Sequence, residues 1–366
     1  MTEIPPVEDI AKQFASSLPA SVELPAGCGK TELIAATAAH LVESGESLLV
    51  LTHTHAGVDA LKRRMIKFGI NANSVVVRTL DSWAFDLVRH FPLLAEIEVP
   101  ESPDWTKSRD YHRAAARAIR SRAIARMIRA SYAAILVDEY QDCDVSQHSF
   151  VKALRDIIPV GVLGDPLQSI FHFSDNRPVS WEMDVLHNFP ALELPYLPRR
   201  WAETHPLLGQ WLVGLRSLLK SGAAVQVADS PVAYVPQVDH TTAIKTCWEI
   251  SRRDGSIAIL GHFRPDCVDI ASKLKGSFTV MEALDEKVVR TVADRIDTGR
   301  GVDVAVSILE FALQSSSGLA AHISPSHRSK LAANASFATR TPDRQATYTA
   351  LRLVRDNPSP INVYTA

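Results

Sequence analysis

The sequence predicts an α/β protein whose core is a parallel β-sheet covered by helices on both faces. Short apolar runs alternate along the chain with segments whose apolar residues have helical spacing. Strands that alternate with helices in this way pair in parallel, because each helix carries the chain back across the sheet. A glycine-containing loop also joins the first run, Ser21–Leu24, to the first long helical segment, Thr31–Glu43.

Composition and length agree with a folded protein of more than one domain. The chain has 366 residues, of which 46% are hydrophobic and 22% are charged, and this excludes a disordered protein. The length suits two domains. The net charge of −2 argues neither for nor against a nucleic-acid partner, so a local basic segment would have to carry that argument.

The cysteines and the N-terminus indicate a cytoplasmic protein. The four cysteines show no C-x-x-C spacing, and we expect them to be reduced thiols. Met1 to Leu18 lacks the basic and apolar regions of a signal peptide. Every apolar run is too short to span a membrane, so we expect a soluble protein with no membrane partner.

The elements that precede residue 90 follow from the apolar pattern. In order they are a helix Ala11–Leu18, a strand Ser21–Leu24, a helix Thr31–Glu43, a strand Leu48–Thr52, a helix from Ala56 to Phe68, a strand Val75–Arg78 and a helix through Trp83 and Val88.

A basic insertion interrupts the alternation between residues 92 and 132. Pro92 to Pro103 contains three prolines, and Trp105 to Tyr132 then has the pattern of one arginine-rich helix. Its arginines at 109, 113, 117 and 120 are three or four residues apart and share a face. This face is either simply solvated or a surface that binds phosphates of a nucleic acid.

The elements after the insertion divide between two domains. Strands Ala133–Val137 and Val160–Gly164 complete the first sheet. A possible strand Leu192–Tyr196, a helix from Pro206 to Lys220, a strand Ser256–Leu260 and a helix Cys267–Leu274 follow, with mostly helix after Leu284, and they predict a second, partial α/β domain. We therefore predict a first domain over residues 1–190 and a second domain over residues 191–366.

The loop between the first strand and the first long helix has the composition of a phosphate-binding loop. Its glycines let backbone N–H groups turn towards an anion, and the next helix directs its positive end at the same place. Lys30 can reach the β- and γ-phosphates, and the Thr31 hydroxyl can ligate Mg²⁺. The candidate nucleotide-binding residues are Ala26, Gly27, Cys28, Gly29, Lys30 and Thr31. A glycine-rich turn with a chance Lys-Thr pair is the alternative.

Two acids follow the apolar strand Ala133–Val137. Ligands of open α/β sheets bind at the carboxyl ends of the strands, where Asp138 and Glu139 are expected. We expect Asp138 to hold Mg²⁺ together with Thr31, and Glu139 to polarise the attacking water. The predicted cofactors are therefore ATP and Mg²⁺.

Together with these two elements, further segments resemble the UvrD/Rep family of superfamily-one DNA helicases. The resemblance covers roughly residues 20–205 and rests on motifs in the family's order. These are Leu48 to Gly57, Arg78-Thr-Leu-Asp-Ser-Trp83, Asp138-Glu-Tyr-Gln-Asp142, Gly164-Asp-Pro-Leu-Gln168-Ser-Ile-Phe171-His-Phe173 and Leu194-Pro-Tyr-Leu-Pro-Arg-Arg200-Trp201.

The resemblance implies two RecA-like lobes and a role for each matching residue. Gln168 would sense the γ-phosphate, Arg200 or its neighbour Arg199 would act as an arginine finger, and Asp165 would support the metal and water network. Phe173 would stack on a base of single-stranded DNA. The other implied DNA-binding residues are His53, Thr54, Trp83 and Phe171. Core packing is the alternative for both phenylalanines.

The sequence departs from the family pattern at several points. Leu24 replaces the first small residue of the phosphate loop, Ala56 replaces a lysine, and no glutamine occupies the position that reads adenine. The insertion after Trp83 is short. The family's K-G-L-E-[FW] segment and its final Q-x-x-R-L-x-Y-V-A motif are absent, so we expect a truncated second domain.

Three hypotheses follow. The chain is an ATP-dependent motor on single-stranded DNA, with 3′-to-5′ polarity by resemblance. Alternatively, it is a degenerate homologue that binds nucleotide and DNA without unwinding, or one whose missing motor elements come from a protein partner. A P-loop NTPase unrelated to nucleic acid is the third hypothesis, and the segment Gly164 to Ile170 argues against it.

Overall fold

The computed structural model forms two compact units, Met1–Tyr234 and Val235–Ala366. It describes residues 5–43, 45–169, 177–228, 230–235, 239–253, 255–274, 278, 286–315, 329–331, 333 and 342–357. The first unit holds the sheet. The assignment of domains to residues 1–190 and 191–366 stays a prediction.

The first unit alternates strands and helices up to Gly164. Its elements are α1 (Val7–Ser16), β1 (Ala20–Glu23), α2 (Lys30–Val42), β2 (Leu48–Thr52), α3 (His55–Lys67), β3 (Val75–Thr79), α4 (Leu80–His90), α5 (Pro92–Ala95), α6 (Ser108–Ile119), α7 (Arg122–Ser131), β4 (Ala134–Val137), α8 (Val145–Arg155), β5 (Val160–Gly164), α9 (Leu186–Asn188) and α10 (Pro206–Lys220). Single 3₁₀ turns at Pro166–Gln168 and Arg199–Trp201 also occur.

The five strands form one parallel sheet in the order β1-β5-β4-β2-β3. This confirms the predicted fold class. The strand before the glycine loop, β1, and the strand before the acids, β4, are separated by β5 alone. Because all strands run the same way, the loops that follow β1, β4 and β5 meet at one edge of the sheet.

Helices cover both faces of the sheet, as predicted. Along β2, Leu48 and Val50 pack with the helices α1, α2 and α3, whereas Leu49 and Leu51 pack with α4, α6, α7 and α8. This alternation arises because successive side chains of a strand point to opposite faces. Burial on both faces explains why β4 and β5 contain no polar side chain and why β2 contains none before Thr52.

The arginine-rich insertion is not one helix, and the prediction of a single helix over Trp105–Tyr132 is wrong. The chain forms a 3₁₀ turn at Trp105–Lys107 and then two helices, α6 and α7. Ser121 lies between them with φ −65° and ψ 132°, which is an extended conformation. The break lets Ile119, Ile124 and nearby apolar residues all reach the core.

The predicted strand Leu192–Tyr196 is also absent. The segment makes one parallel bridge to the edge strand β1, in which Ser21 N–H donates to Pro190 O and Leu192 N–H donates to Ser21 O, both at 2.8 Å. Pro190 has no N–H group, so the ladder cannot extend from Ala191 towards the beginning of the segment.

The second unit contains helices α11 (His240–Ile250), α12 (Arg264–Lys273), α13 (Glu286–Thr298), α14 (Val302–Ser315) and α15 (Pro342–Asp356). Leu309 of α14 packs with Tyr348 and Leu351 of α15. The predicted helix at Cys267–Leu274 is confirmed, but the predicted strand Ser256–Leu260 is wrong. Leu260 is 94% exposed, so this apolar run is not buried as a central strand would be.

Among the helices that the structure describes, none combines the length and the apolar character needed to cross a membrane.

Candidate nucleotide-binding site

The loop between β1 and α2 has the backbone conformation of an anion-binding turn. Gly27 and Gly29 have φ values of +68° and +101°, which side chains other than hydrogen rarely allow. Gly29 is the N-cap of α2, and Lys30 is its first residue. The free N–H groups of the first helical turn therefore face the loop, where they can bind a phosphate.

Lys30 pairs with a carboxylate from a distant part of the sequence. Its Nζ lies 3.2 Å from Glu139 Oε2, and the lysine side chain is only 8% exposed. Gln141 Nε2 donates to the same Glu139 oxygen at 3.0 Å. The ammonium and the carboxylate thus occupy one site, because β1 and β4 deliver them to the same edge of the sheet.

Asp138, at the end of β4, is buried and has few partners. The N–H of Glu139 donates to its Oδ1 at 3.0 Å. Burial, and then the charge of Glu139, raise the pKa of Asp138 to about 7, against the opposing effect of Lys30. A divalent cation would offset both effects, so this carboxylate suits Mg²⁺.

A cavity of about 450 Å³ lies over the loop. Most of the predicted nucleotide and catalytic residues line it, namely Ala26, Gly27, Gly29, Lys30, Thr31, Glu139, Gln168 and Arg200. The volume falls in the range of small-ligand sites. Asp138 does not line this cavity, and the individual roles of these residues stay predictions.

A turn from later in the chain forms the opposite wall. Arg200 N–H donates to Gly27 O at 3.0 Å, which attaches the turn Arg199–Trp201 to the phosphate loop. The approach is so close that a Cβ atom on Gly27 would lie 2.7 Å from the Trp201 ring. Arg199 and Arg200 both line the cavity, so the choice of arginine finger stays open.

Arg64 of α3 is a cavity residue that sequence reasoning missed. It lines the cavity and pairs with Glu32 of α2, with Nη1 and Oε2 2.5 Å apart. Its position follows from the packing of α2 against α3, which no local motif reveals.

Arg216 of α10 is a second residue that sequence reasoning missed. It donates to both carboxylate oxygens of Asp165, at 2.7 and 2.9 Å, and to Glu23 Oε1 at 2.6 Å. Asp165 is 1% exposed, and its Oδ1 also accepts from Leu167 N–H in the turn that carries Gln168. Arg216 therefore connects α10 to the end of β1 and to the Gln168 turn.

The remaining predicted site residues lie elsewhere. Cys28 faces away from the phosphate cavity into a narrow cavity beside α1, and burial raises the pKa of its thiol to about 11. His53 Nε2 lies 3.5 Å from Cys143 Sγ, and Thr54 caps α3 by accepting from Gly57 N–H. Trp83 packs on Phe150, with ring centroids 5.7 Å apart.

His53, Thr54 and Trp83 thus lie outside the cavity. Their contact with DNA stays a prediction. Burial lowers the pKa of His53, so its ring is neutral at physiological pH. The predicted base-stacking residues Phe171 and Phe173 lie outside the described residues.

The fold and the site define the first unit as a P-loop nucleotide-binding domain of the α/β class. A comparison with family models agrees, because the model of an AAA domain matches residues 8–174. The match covers the sheet, the phosphate loop and the acidic strand end, and it stops before the turn that carries Arg199 and Arg200. A comparison with curated proteins finds no match.

Proposed function

We propose that this protein is an ATP-dependent motor on single-stranded DNA, of the UvrD/Rep type. The observation that carries the proposal is the convergence of Lys30, Glu139, Gln168 and three arginines on one cavity beside the phosphate loop. A domain that only stored nucleotide would need the loop but not the acid and the arginines.

Each group has a defined task in hydrolysis. The loop N–H groups and Lys30 bind the β- and γ-phosphates, and this binding draws Lys30 away from Glu139. The freed Glu139 carboxylate then accepts a proton from the water that attacks the γ-phosphorus. The bond between this phosphorus and the β–γ bridging oxygen breaks, and ADP leaves with the electron pair. Arg199 or Arg200 neutralises the charge that develops on the γ-phosphate oxygens. Thr31 and Asp138 would hold Mg²⁺, which would supply further charge neutralisation.

The resemblance and the Gln168 turn support coupling of this reaction to DNA. Gln168 lines the phosphate cavity, and the segment that follows it contains Phe171 and Phe173. A shift of the turn on loss of the γ-phosphate would therefore pass to residues proposed to stack on bases. Stacking of this kind contributes about 1–3 kcal/mol per base and tolerates any sequence.

A turnover assay tests the proposal. Single-stranded DNA should stimulate release of phosphate from ATP, and Lys30→Ala should abolish both basal and stimulated release. Turnover that no DNA affects would support an NTPase unrelated to nucleic acid instead.

One observation favours a second candidate, a homologue that binds nucleotide and DNA without unwinding. The described residues of the second unit form helices and no strand, whereas a complete second lobe would contain a sheet. In that case nucleotide binds and hydrolysis stays slow in the presence of DNA, unless a partner protein supplies the missing elements. Strand-displacement assays on a tailed duplex separate the two candidates.

A further inference from the structure

A basic cleft lies at the edge of the sheet opposite the nucleotide site. It is formed by the end of α6, by α7 and by the last turns of α8, and its volume is about 670 Å³. The strands β4 and β5 begin directly after α7 and α8, so the cleft adjoins the amino ends of these strands. The phosphate loop adjoins the carboxyl ends. Both sites can therefore be occupied at the same time.

Five cationic side chains and one acidic side chain line the cleft. The cations are Arg120, Arg122, Arg126, Arg129 and Lys152. The acid, Asp156, lies 3.9 Å from the Nε of Arg155, a residue outside the lining. Among the residues that the structure describes, none of the five cations forms an ion pair with a carboxylate, although the chain as a whole carries a net charge of −2.

The positions of these arginines destabilise helix α7. Arg122 is the first residue of α7, whose first turn contains no acid, so its charge opposes the helix dipole. Arg122 and Arg126 are also four residues apart, a spacing at which like charges destabilise a helix by roughly 0.2–0.5 kcal/mol. Features that break a local rule in this way are expected where a ligand compensates for them.

The arginines are placed to bind successive phosphate groups. Arg122 and Arg129 are separated along α7 by about 10.5 Å, and this distance equals roughly three base-pair steps of 3.4 Å. The Nε of Arg129 donates to Ile157 O at 3.1 Å, which fixes the guanidinium across the cleft. No aromatic side chain lines the cleft, so it offers bases nothing to stack on.

We propose that the cleft between α7 and α8 is a second anion site that binds a run of phosphate groups, supplied by the backbone of a DNA duplex or by a free polyphosphate. Planar guanidinium groups bind phosphate oxygens in pairs and make no use of base sequence. The site goes beyond the proposed motor function and does not depend on hydrolysis.

The test compares two phosphate probes on the full chain. The first is a fluorescein-labelled duplex of about 20 base pairs, which exceeds the three steps that the arginines span. The second is inorganic tripolyphosphate, followed by calorimetry. The variant is the double substitution Arg122→Gln and Arg126→Gln, because glutamine keeps the helix propensity. Arg253→Gln, an exposed arginine of the second unit, is the matched control.

We expect the double variant to bind the affected probe at least about tenfold more weakly, with a salt slope lower by about 0.9 for each lost phosphate contact. If the double variant loses affinity for the duplex only, the phosphate groups come from a nucleic-acid backbone. If it loses affinity for tripolyphosphate only, they come from a free polyphosphate. Arg253→Gln should bind as the original chain does.

Two results would overturn the proposal. One is unchanged binding of both probes by the double variant. The other comes from a third probe, an oligoglutamate peptide: if the double variant loses affinity for this peptide and for neither phosphate probe, the cleft is a site for an acidic protein. DNA-stimulated hydrolysis of ATP by the double variant is a separate readout. The double variant should keep this stimulated hydrolysis. If the original chain shows no DNA-stimulated hydrolysis, that result counts against the motor function but not against this site.

Discussion

At the residue scale, two neighbouring acids at the end of β4 lie in different environments. Asp138 is 5% exposed, whereas the side chain of Glu139 is 39% exposed and pairs with Lys30. A buried carboxylate with a raised pKa is suited to a metal, and a more open one is suited to accept a proton from water. Because the two acids differ in burial, we expect substitution of Asp138 and substitution of Glu139 to have different effects.

Glu139→Gln should abolish hydrolysis and keep nucleotide binding. The amide has the shape of the acid but cannot accept the proton, so the rate should fall by about 10²–10⁴-fold. Phosphate release and the affinity for a fluorescent ATP analogue measure the two effects. Gln is a better substitution here than Ala, because it keeps the size and shape of the side chain. Normal turnover by this variant would refute the assignment of the base.

Asp138 should make both stability and metal binding depend on pH. Burial raises the pKa of Asp138 from 3.8 to about 7 in the folded state. Between about pH 4 and pH 7, the folded protein therefore binds one proton that the unfolded protein has released. This contribution to stability is complete below about pH 4 and is lost as the pH rises through 7. Asp138→Asn should therefore raise the melting temperature of the nucleotide-free protein more at pH 8 than at pH 5.

The affinity for Mg²⁺ should rise with pH, whereas the contribution of Asp138 to stability falls, because Mg²⁺ binds the ionised carboxylate. The affinity of the original chain for Mg²⁺ with nucleotide should weaken below about pH 7. Titrations of Mg²⁺ at several pH values check this, and Asp138→Asn should remove the dependence. An Asp138→Asn protein whose melting temperature follows that of the original chain at every pH would contradict the assignment.

Arg216 should stabilise the site through the buried Asp165. Removing one partner of a buried ion pair leaves an uncompensated charge and costs about 3–5 kcal/mol. Arg216→Met should lower the free energy of unfolding by an amount of this order, measured by urea denaturation. The double variant Arg216→Met and Asp165→Asn should recover part of the loss, because no buried charge then stays unpaired.

The alternative outcome for Arg216 is also informative. Arg216→Met with full stability and normal turnover would show that the Gln168 turn is held by other contacts. Lys220→Met is a suitable control, since it removes a more exposed partner of Glu23 and leaves Asp165 paired.

At the scale of elements, the turn Arg199–Trp201 depends on a glycine that it covers. Gly27→Ala should displace this turn, because the new Cβ would lie 2.7 Å from the Trp201 ring and 2.8 Å from Arg200 Cβ. We expect kcat to fall more than nucleotide affinity does. Steady-state kinetics and equilibrium binding of an ATP analogue measure the two quantities.

A matched control separates the clash from backbone strain. Gly69 has φ +69°, nearly the same as the +68° of Gly27, but a Cβ there would meet nothing within 4 Å. Gly69→Ala should therefore lose some stability and keep its kcat. Equal losses of kcat in the two variants would show that strain, rather than the position of the arginines, causes the effect.

The elements that sequence reasoning predicted correctly are those specified by local patterns. The run at Val160–Gly164 has no polar side chain and the run at Leu48–Thr52 has none before Thr52, because both of their faces are buried. The glycine loop is specified by residues next to each other. The strand at Leu192–Tyr196 and the unbroken helix at residues 105–132 failed, since a single bridge to Ser21 and the extended Ser121 decided these segments.

At the scale of the whole molecule, the candidate site combines segments that are distant in sequence. Glu23, Asp165 and Arg216 form one ion network, and nothing near any of them in the sequence indicates the pairing. Motif reasoning found the residues around the phosphates, because each lies at a strand end or a loop with its own signature. Of the residues that hold those loops in place, Glu23 and Arg216 were found only in the structure.

Nucleotide should protect these separate segments together. Binding of a non-hydrolysable ATP analogue with Mg²⁺ should slow amide hydrogen exchange in peptides that contain Lys30, Gln168 and Arg199, because all three residues line one cavity. At 100 times Kd the ligand should also stabilise the fold by about 2.7 kcal/mol. Peptides of α7 should show no direct protection. Protection of the glycine loop alone would show that the arginine turn is not part of the site.

The edge strand β1 fixes where the arginines can reach. Leu192 is bonded to Ser21 at one end of a stretch, and Arg200 is bonded to Gly27 at the other, so the residues between them act as a spacer of set length. Insertion or deletion of one residue there would move both guanidinium groups along the loop without altering any residue that contacts phosphate. In homologous chains, constancy of this length should be selected as strictly as the arginines themselves.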